Sequence, residues 1–160
     1  MNKITVMVGA GALVVGAAVA LVIGFFSMPG MMMLEDESPY DFATTIERFE
    51  QEVAAGGWSV LTVHDMQAVL DGHGHQVDAI KIYELCSSQY SAEILVLDDE
   101  RIISPLMPCR VSIYEKSNGR TYISRMNSEL MARPFGGVIN EVMQVAAVET
   151  EVVISRVLDS

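Results

Sequence analysis

The sequence predicts an α+β fold, with helices packed on one face of a mostly antiparallel sheet and one transmembrane helix in front of it. Three observations carry that expectation. They are an uncharged apolar run at the front, a later exchange of strand-like and helix-like segments, and an Asn-Gly pair between two alternating runs. The chain has 160 residues, 51% of them hydrophobic, and a mean hydropathy of +0.33, which is high for a purely soluble protein.

The excess of apolar residues lies at the amino terminus. Residues 4–26, ITVMVGAGALVVGAAVALVIGFF, contain no charge. As a helix this run reaches about 34 Å, enough to cross a hydrocarbon core of about 30 Å. A cleaved signal peptide has an apolar core of only about 7–15 residues, so the run predicts an uncleaved anchor whose partner is membrane lipid. Lys3 precedes it and MLEDESPYD, with acids and no base, follows. By the positive-inside tendency the amino terminus stays in the cytoplasm. The chain is then single-pass in the inner or plasma membrane, with its carboxy-terminal domain facing the periplasm or the exterior. Ala12, Gly16, Ala20 and Gly24 recur every four residues and lay small side chains along one ridge, a pattern that suits helix association.

The expected division is an anchor at 1–28, a linker or first strand at 29–38, and a domain at 39–160. After Lys3 the chain carries 21 acidic against nine basic residues, a net charge of −12. That balance argues against nucleic acid, whose recognition rests on neutralising phosphates, and against docking on an anionic lipid surface.

Within the domain, Phe42, Ile46, Phe49 and Val53 fall at helical intervals from about Asp41, and Gly56-Gly57 stops them. WSVLTVH, 58–64, is β-branched and aromatic and predicts a strand. Asp65 caps a short helical turn, MQAVL, before DGHGHQ breaks the chain. VDAIKIYELC, 77–86, predicts the next strand, and Ser87 or Ser88 caps a helix to about Leu97. Cys109 to Glu115 and Arg120 to Met126 flank KSNG, whose Asn118-Gly119 has the chemistry of a tight hairpin turn. A two-residue turn there sets Val111 opposite Met126 and puts Cys109 on the face of Met126. The final helix, Val138 to about Leu158, shows a stripe of Val138, Val142, Val145, Val148 and Val152.

This order of elements, with PLMPCRVSIYE and VDAIKIYELCSSQYSAEIL within it, resembles the bacterial family called domain of unknown function 302. In that family a strand ending in Cys-Asn-Pro precedes a helix, and Leu-Pro-Cys opens a strand ending in Tyr-Glu. Met107-Pro108-Cys109 and Tyr114-Glu115 fit that pattern, whereas Cys86-Ser87-Ser88 departs from it. The resemblance covers Pro39 to about Leu158. It implies a compact domain of the TATA-binding-protein-like class and a homodimer, and it brings no established reaction.

Two cysteines, Cys86 and Cys109, end and begin strands. Three readings stay open: buried small hydrophobes, a disulfide allowed by an oxidising compartment, or a functional thiol pair. The third extends to a soft site for haem, copper or a sulfur species, with Met107 or Met126 supplying a thioether. No CxxC or CxxCH motif is present. His75 is a further soft-ligand candidate, and with His73 it invites a metal reading, but two histidines are too few ligands and no metal is expected there. Arg110 and Arg125 fall diagonally across the predicted hairpin, as a pair that would share one anion. No nucleophile elbow, phosphate loop or paired-carboxylate pattern is visible, so no catalytic residue is expected. The resulting expectation is a membrane-anchored, extracytoplasmic, dimeric binding or accessory domain. The alternative is a thiol-redox or sulfur-handling protein using Cys86 and Cys109, or a haem or copper binder.

Overall fold

The computed structural model describes residues 3–159, with side chains from residue 16 onward. Helix α1, Lys3–Met32, runs through Pro29 directly into strand β1, Met33–Glu37. Of the expected linker or first strand, residues 33–37 are strand and 29–32 extend the helix. The first half of the expected span, 4–15, lies outside the residues whose side chains are described, and with it Ala12 of the small-residue ridge. Residues 16–32 are exposed at every position, including Leu21, Phe25 and Phe26. Among the described residues, no helix is long and apolar enough to cross a membrane.

The domain follows the predicted order closely. Helix α2, Phe42–Ala55, starts at Asp41, whose carboxylate accepts from Thr44 N at 2.8 Å. It buries Thr45, Phe49 and Val53 on one face, and the chain leaves it through Gly56. Strand β2 is Ser59–Asp65, and Asp65 caps helix α3, Met66–Asp71, by accepting from Ala68 N at 2.9 Å. Strand β3, Ile80–Cys86, leads into helix α4, Ser88–Leu95. Ser87 holds the cap position there without a side-chain bond, so the expected serine cap is one of place only. A 3₁₀ turn, Glu100–Leu106, precedes strands β4, Cys109–Glu115, and β5, Thr121–Met126. Helices α5, Ser128–Ala132, and α6, Gly137–Leu158, close the chain.

The five strands form one antiparallel sheet in the order β1-β5-β4-β3-β2. Alternate positions Tyr83, Leu85, Val111, Ile113 and Ile123 are buried and meet Phe49 and Val53 of α2 and Val153, Ile154 and Val157 of α6. A smaller cluster joins α4, α5 and α6 through Ile94, Ala132, Ile139, Val142 and Met143. Burying large apolar side chains is worth about 1.5–3 kcal/mol each, so these two clusters hold the helices on the sheet.

Two expectations are corrected here. The hairpin pairs Val111 with Arg125 and Glu115 with Thr121, one residue away from the expected register. The turn is a three-residue loop, Ser117 to Gly119, closed by Gly119 N on Lys116 O at 2.8 Å and Lys116 N on Arg120 O at 3.0 Å. Gly119 takes φ +72°, the left-handed third position of such loops, which costs other residues a steric penalty. A slip of one residue exchanges the two faces of a strand. Arg125 is therefore on the core face and Met126 on the outer one. The second correction concerns α6, which buries Ile139, Val142, Met143, Ala146, Val153 and Val157. Val145, Val148 and Val152 of the expected stripe are exposed. This helix carries apolar residues on both sides, and what lies beneath it, the sheet and the small cluster with α4 and α5, chooses the buried side in place of the valine spacing.

Candidate functional site

Sulfur gathers where β3 ends and β4 begins. Cys109 opens β4 opposite Leu85, on the core face. Cys86 follows Leu85, at the point where the chain turns into α4, and its Sγ lies 3.2 Å from Ser91 Oγ. Both thiols are free and partly buried. They line one small cavity of about 30 Å³, together with Trp58, Tyr90, Met107 and Met143. Burial, and then the neighbouring Cys86, push the Cys109 thiol above its ordinary pKa. A void of this size holds one water or one bare ion, and pockets that take cofactors run to about 300 Å³ or more, so a porphyrin does not fit between these thiols.

Of the expected soft ligands, Met107 lines the cavity of both cysteines, Met126 meets only Cys109, along the larger groove beside α6, and His75 stands apart from both. Met126 ends β5 on the outer face, where it lines a groove with Met33, Ile82 and Ser124. His75 lies beyond α3, against Asp65, Asp71 and Asp78. Among the described residues there is no group of three or more His, Cys, Asp or Glu placed to hold a metal.

The two arginines are separated by the sheet. Arg110 is on the outer face, 63% exposed, and its guanidinium meets Glu84 at 2.9 Å. Glu84 also accepts from His64 at 3.3 Å, and the two partners, Arg110 first, hold its carboxyl below the ordinary value. Arg125 is on the core face, 8% exposed, clamped between Asp36 of β1 and Glu151 of α6. Its Nε donates to Glu151 Oε1 at 2.9 Å. With each arginine already answered by carboxylate, the pair does not form a shared anion site. Arg125 instead forms the floor of an open groove of about 550 Å³ between β5 and α6, flanked by Leu34, Cys109, Val148 and Val152.

The family model described as "Domain of unknown function DUF302" matches residues 34–160. The chain belongs to the DUF302 family. The crystal structure of the uncharacterized conserved protein DUF302 from Bacillus stearothermophilus is similar, with 20% sequence identity and a TM-score of 0.71. The alignment covers 79% of this chain and 98% of that one, and at this identity it shows a shared fold. Comparison with curated proteins finds no match.

In this DUF302 domain, sequence reasoning found both cysteines and Met107 but missed Met143, Trp58 and Tyr90. Trp58 and Tyr90 have ring centroids 6.0 Å apart at the cavity wall. Met143 comes 34 positions after Cys109, on a helix with apolar residues on more than one side, and nothing local marks it out. A second missed feature is the β2 edge. Every residue of β2 is exposed, with Leu61 at 55% and Val63 at 41%. Its signal was present in WSVLTVH, since a run of β-branched residues without charge is unusual for a strand at the rim of a sheet.

Proposed function

We propose that this DUF302 protein is a membrane-tethered, dimeric binding or accessory domain held outside the cytoplasm. The observation that carries the tether is α1. A helix apolar on all sides belongs in a core or a bilayer, yet residues 16–32 are exposed at every position and uncharged. Such a surface asks for a covering that the domain does not supply, and lipid on the preceding uncharged stretch is that covering. Lys3 at the start of the helix, with no Lys or Arg after it until Arg48, favours an outward-facing domain.

Dimerisation rests on the β2 edge. From Val53 to His64 the sequence has no Asp, Glu, Lys or Arg, although the whole chain carries −11. Two copies approach there with the least repulsion. Antiparallel pairing of β2 with its own copy is isologous and would join two sheets into one. The thiol-redox alternative asks for an accessible thiolate, and burial drives Cys109 the other way.

The test uses the full chain and a deletion of residues 4–26. The full chain is expected to resist alkaline carbonate extraction of membranes and to be cut by protease added to the outer side. The deletion should appear in the soluble fraction. A full chain released by carbonate, or shielded from outside protease in intact cells, would overturn the reading.

A further inference from the structure

We propose that Cys86 and Cys109, with the thioethers of Met107 and Met143, form a binding site for a soft monovalent cation, copper(I). The four sulfur residues come from three separate places in the chain, the β3 end, the approach to β4, and α6, and all line the same cavity of about 30 Å³. That volume suits a bare ion and excludes a hydrated one. Thiolate and thioether are the ligands that select copper(I), whereas zinc asks for four ligands drawn from thiolate, imidazole and carboxylate. No imidazole or carboxylate lines this cavity.

The surroundings serve the same end. Trp58 and Tyr90 supply aromatic faces, which attract a cation held close to them. Ser91 Oγ, 3.2 Å from Cys86 Sγ, is placed to donate to a thiolate there, the kind of outer contact that orients a ligand. Binding one copper(I) displaces two thiol protons to solvent. The site passes from neutral to a net charge of −1, with the metal's oxidation state unchanged and no other reactant needed.

The proposal is independent of the tether and the dimer. It is tested on the reduced full chain in detergent, without oxygen, by titrating copper(I) against the chromogenic chelator bicinchoninate. One copper(I) per chain is expected, with about two protons released per ion and a sulfur-to-copper absorption in the ultraviolet. Cys86→Ser and Cys109→Ser should each weaken binding at least tenfold. Met143→Leu keeps the core volume and should weaken it less, which guards against loss of fold as the cause. Copper left wholly with the chelator, or binding unchanged in the doubly substituted Cys86→Ser, Cys109→Ser chain, would overturn the assignment. So would zinc(II) binding that competes with copper(I) at equal concentration.

Discussion

The two edges of the sheet are built on opposite principles. On β1, each of three consecutive acids has a partner: Glu35 takes Lys116 Nζ at 2.7 Å and the Tyr114 hydroxyl, Glu37 takes Arg120 at 2.6 Å and Tyr122 at 2.9 Å, and Asp36 takes Arg125. Lys116 also lies 3.8 Å over the Tyr122 ring, and Tyr114 stacks on Tyr122. On β2 the seven residues carry one acid, Asp65, spent on capping α3, and His64, which turns back to Glu84. Charge on an edge strand discourages strand addition, and β1 uses it fully. The other common device, a bulge, is all that β2 has, between Val60 and Thr62. One edge is closed and the other open. With three strands between them at spacings of about 4.8 Å, the open edge stands about 19 Å from the strand that α1 enters. A partner on β2 would thus sit clear of α1.

The largest effect is expected at the closed edge. Arg125→Ala removes the cation that joins β1 to α6 and leaves Asp36 and Glu151 facing each other across the floor of the groove. Breaking a buried ion pair costs about 3–5 kcal/mol, and since these carboxylates are 45% and 41% exposed, about 2–3 kcal/mol is expected. Urea unfolding measures it. Arg110→Ala on the exposed face should cost about 0.5 kcal/mol or less. Equal losses for the two arginines would show that Arg125 does not lock this edge.

At the open edge the readout is association. Val63→Lys places a charge in the middle of β2 and should weaken self-association at least tenfold by sedimentation velocity, with the melting of the dilute monomer unchanged. Val148→Lys, on α6 beside the groove over Arg125, is the contrasting variant. If Val148→Lys weakens self-association and Val63→Lys does not, or if the unsubstituted chain is a monomer, the β2 argument fails.

Where the sequence was legible, short-range chemistry decided the structure. The spacing of Phe42, Ile46, Phe49 and Val53 announced α2, and Asp65 announced α3 because a capping carboxylate acts on an amide three residues away. Asn118-Gly119 announced a hairpin but not its register, because the same pair serves two- and three-residue loops. That one-residue difference turned Arg125 from a surface residue into a buried one. On α6 the difficulty was of another kind. Apolar residues occur on more than one side of the helix, and only the packing beneath it, the sheet for Ile154 and the α4–α5 cluster for Ile139 and Met143, selects the buried side. The thiol cavity was half visible for the same reason. Two strand ends put Cys86 and Cys109 near each other, whereas Met143 arrives through tertiary packing.

A smaller effect is expected where β2 hands over to α3. Asp65→Ala removes the acceptor of the Ala68 amide, and loss of an N-cap costs about 1 kcal/mol. Because α3 has six residues, all exposed or partly so, the loss should be local. Hydrogen exchange should speed up at α3 amides while core amides of β4 keep their protection. Slowed or unchanged exchange in α3 would mean that Asp65 is free for another role at the open edge.

Acid should act on the closed edge first. Glu35 is held below the ordinary carboxylate value chiefly by Lys116 and then Tyr114, and Glu37 chiefly by Tyr122 and then Arg120. A carboxyl whose folded pKa lies below its unfolded one adds stability above the unfolded value, about 4.3 for Glu, and loses it as pH falls through the folded value. Protonation removes the acceptor that Lys116, Arg120 and both tyrosines share, so β1 loses its side-chain ties while its ladder to β5 remains. The β2–β3 pair depends on such a tie only through Glu84, which Arg110 and His64 hold low as well. Exchange at the β1–β5 amides, corrected for intrinsic rate, is therefore expected to rise more steeply between about pH 5 and pH 3 than at the β2–β3 amides. High salt at neutral pH should reproduce the direction more weakly, since these pairs are exposed and screened. If β2–β3 protection falls first, carboxylate pairing is not what closes the β1 edge, and backbone pairing alone must account for it.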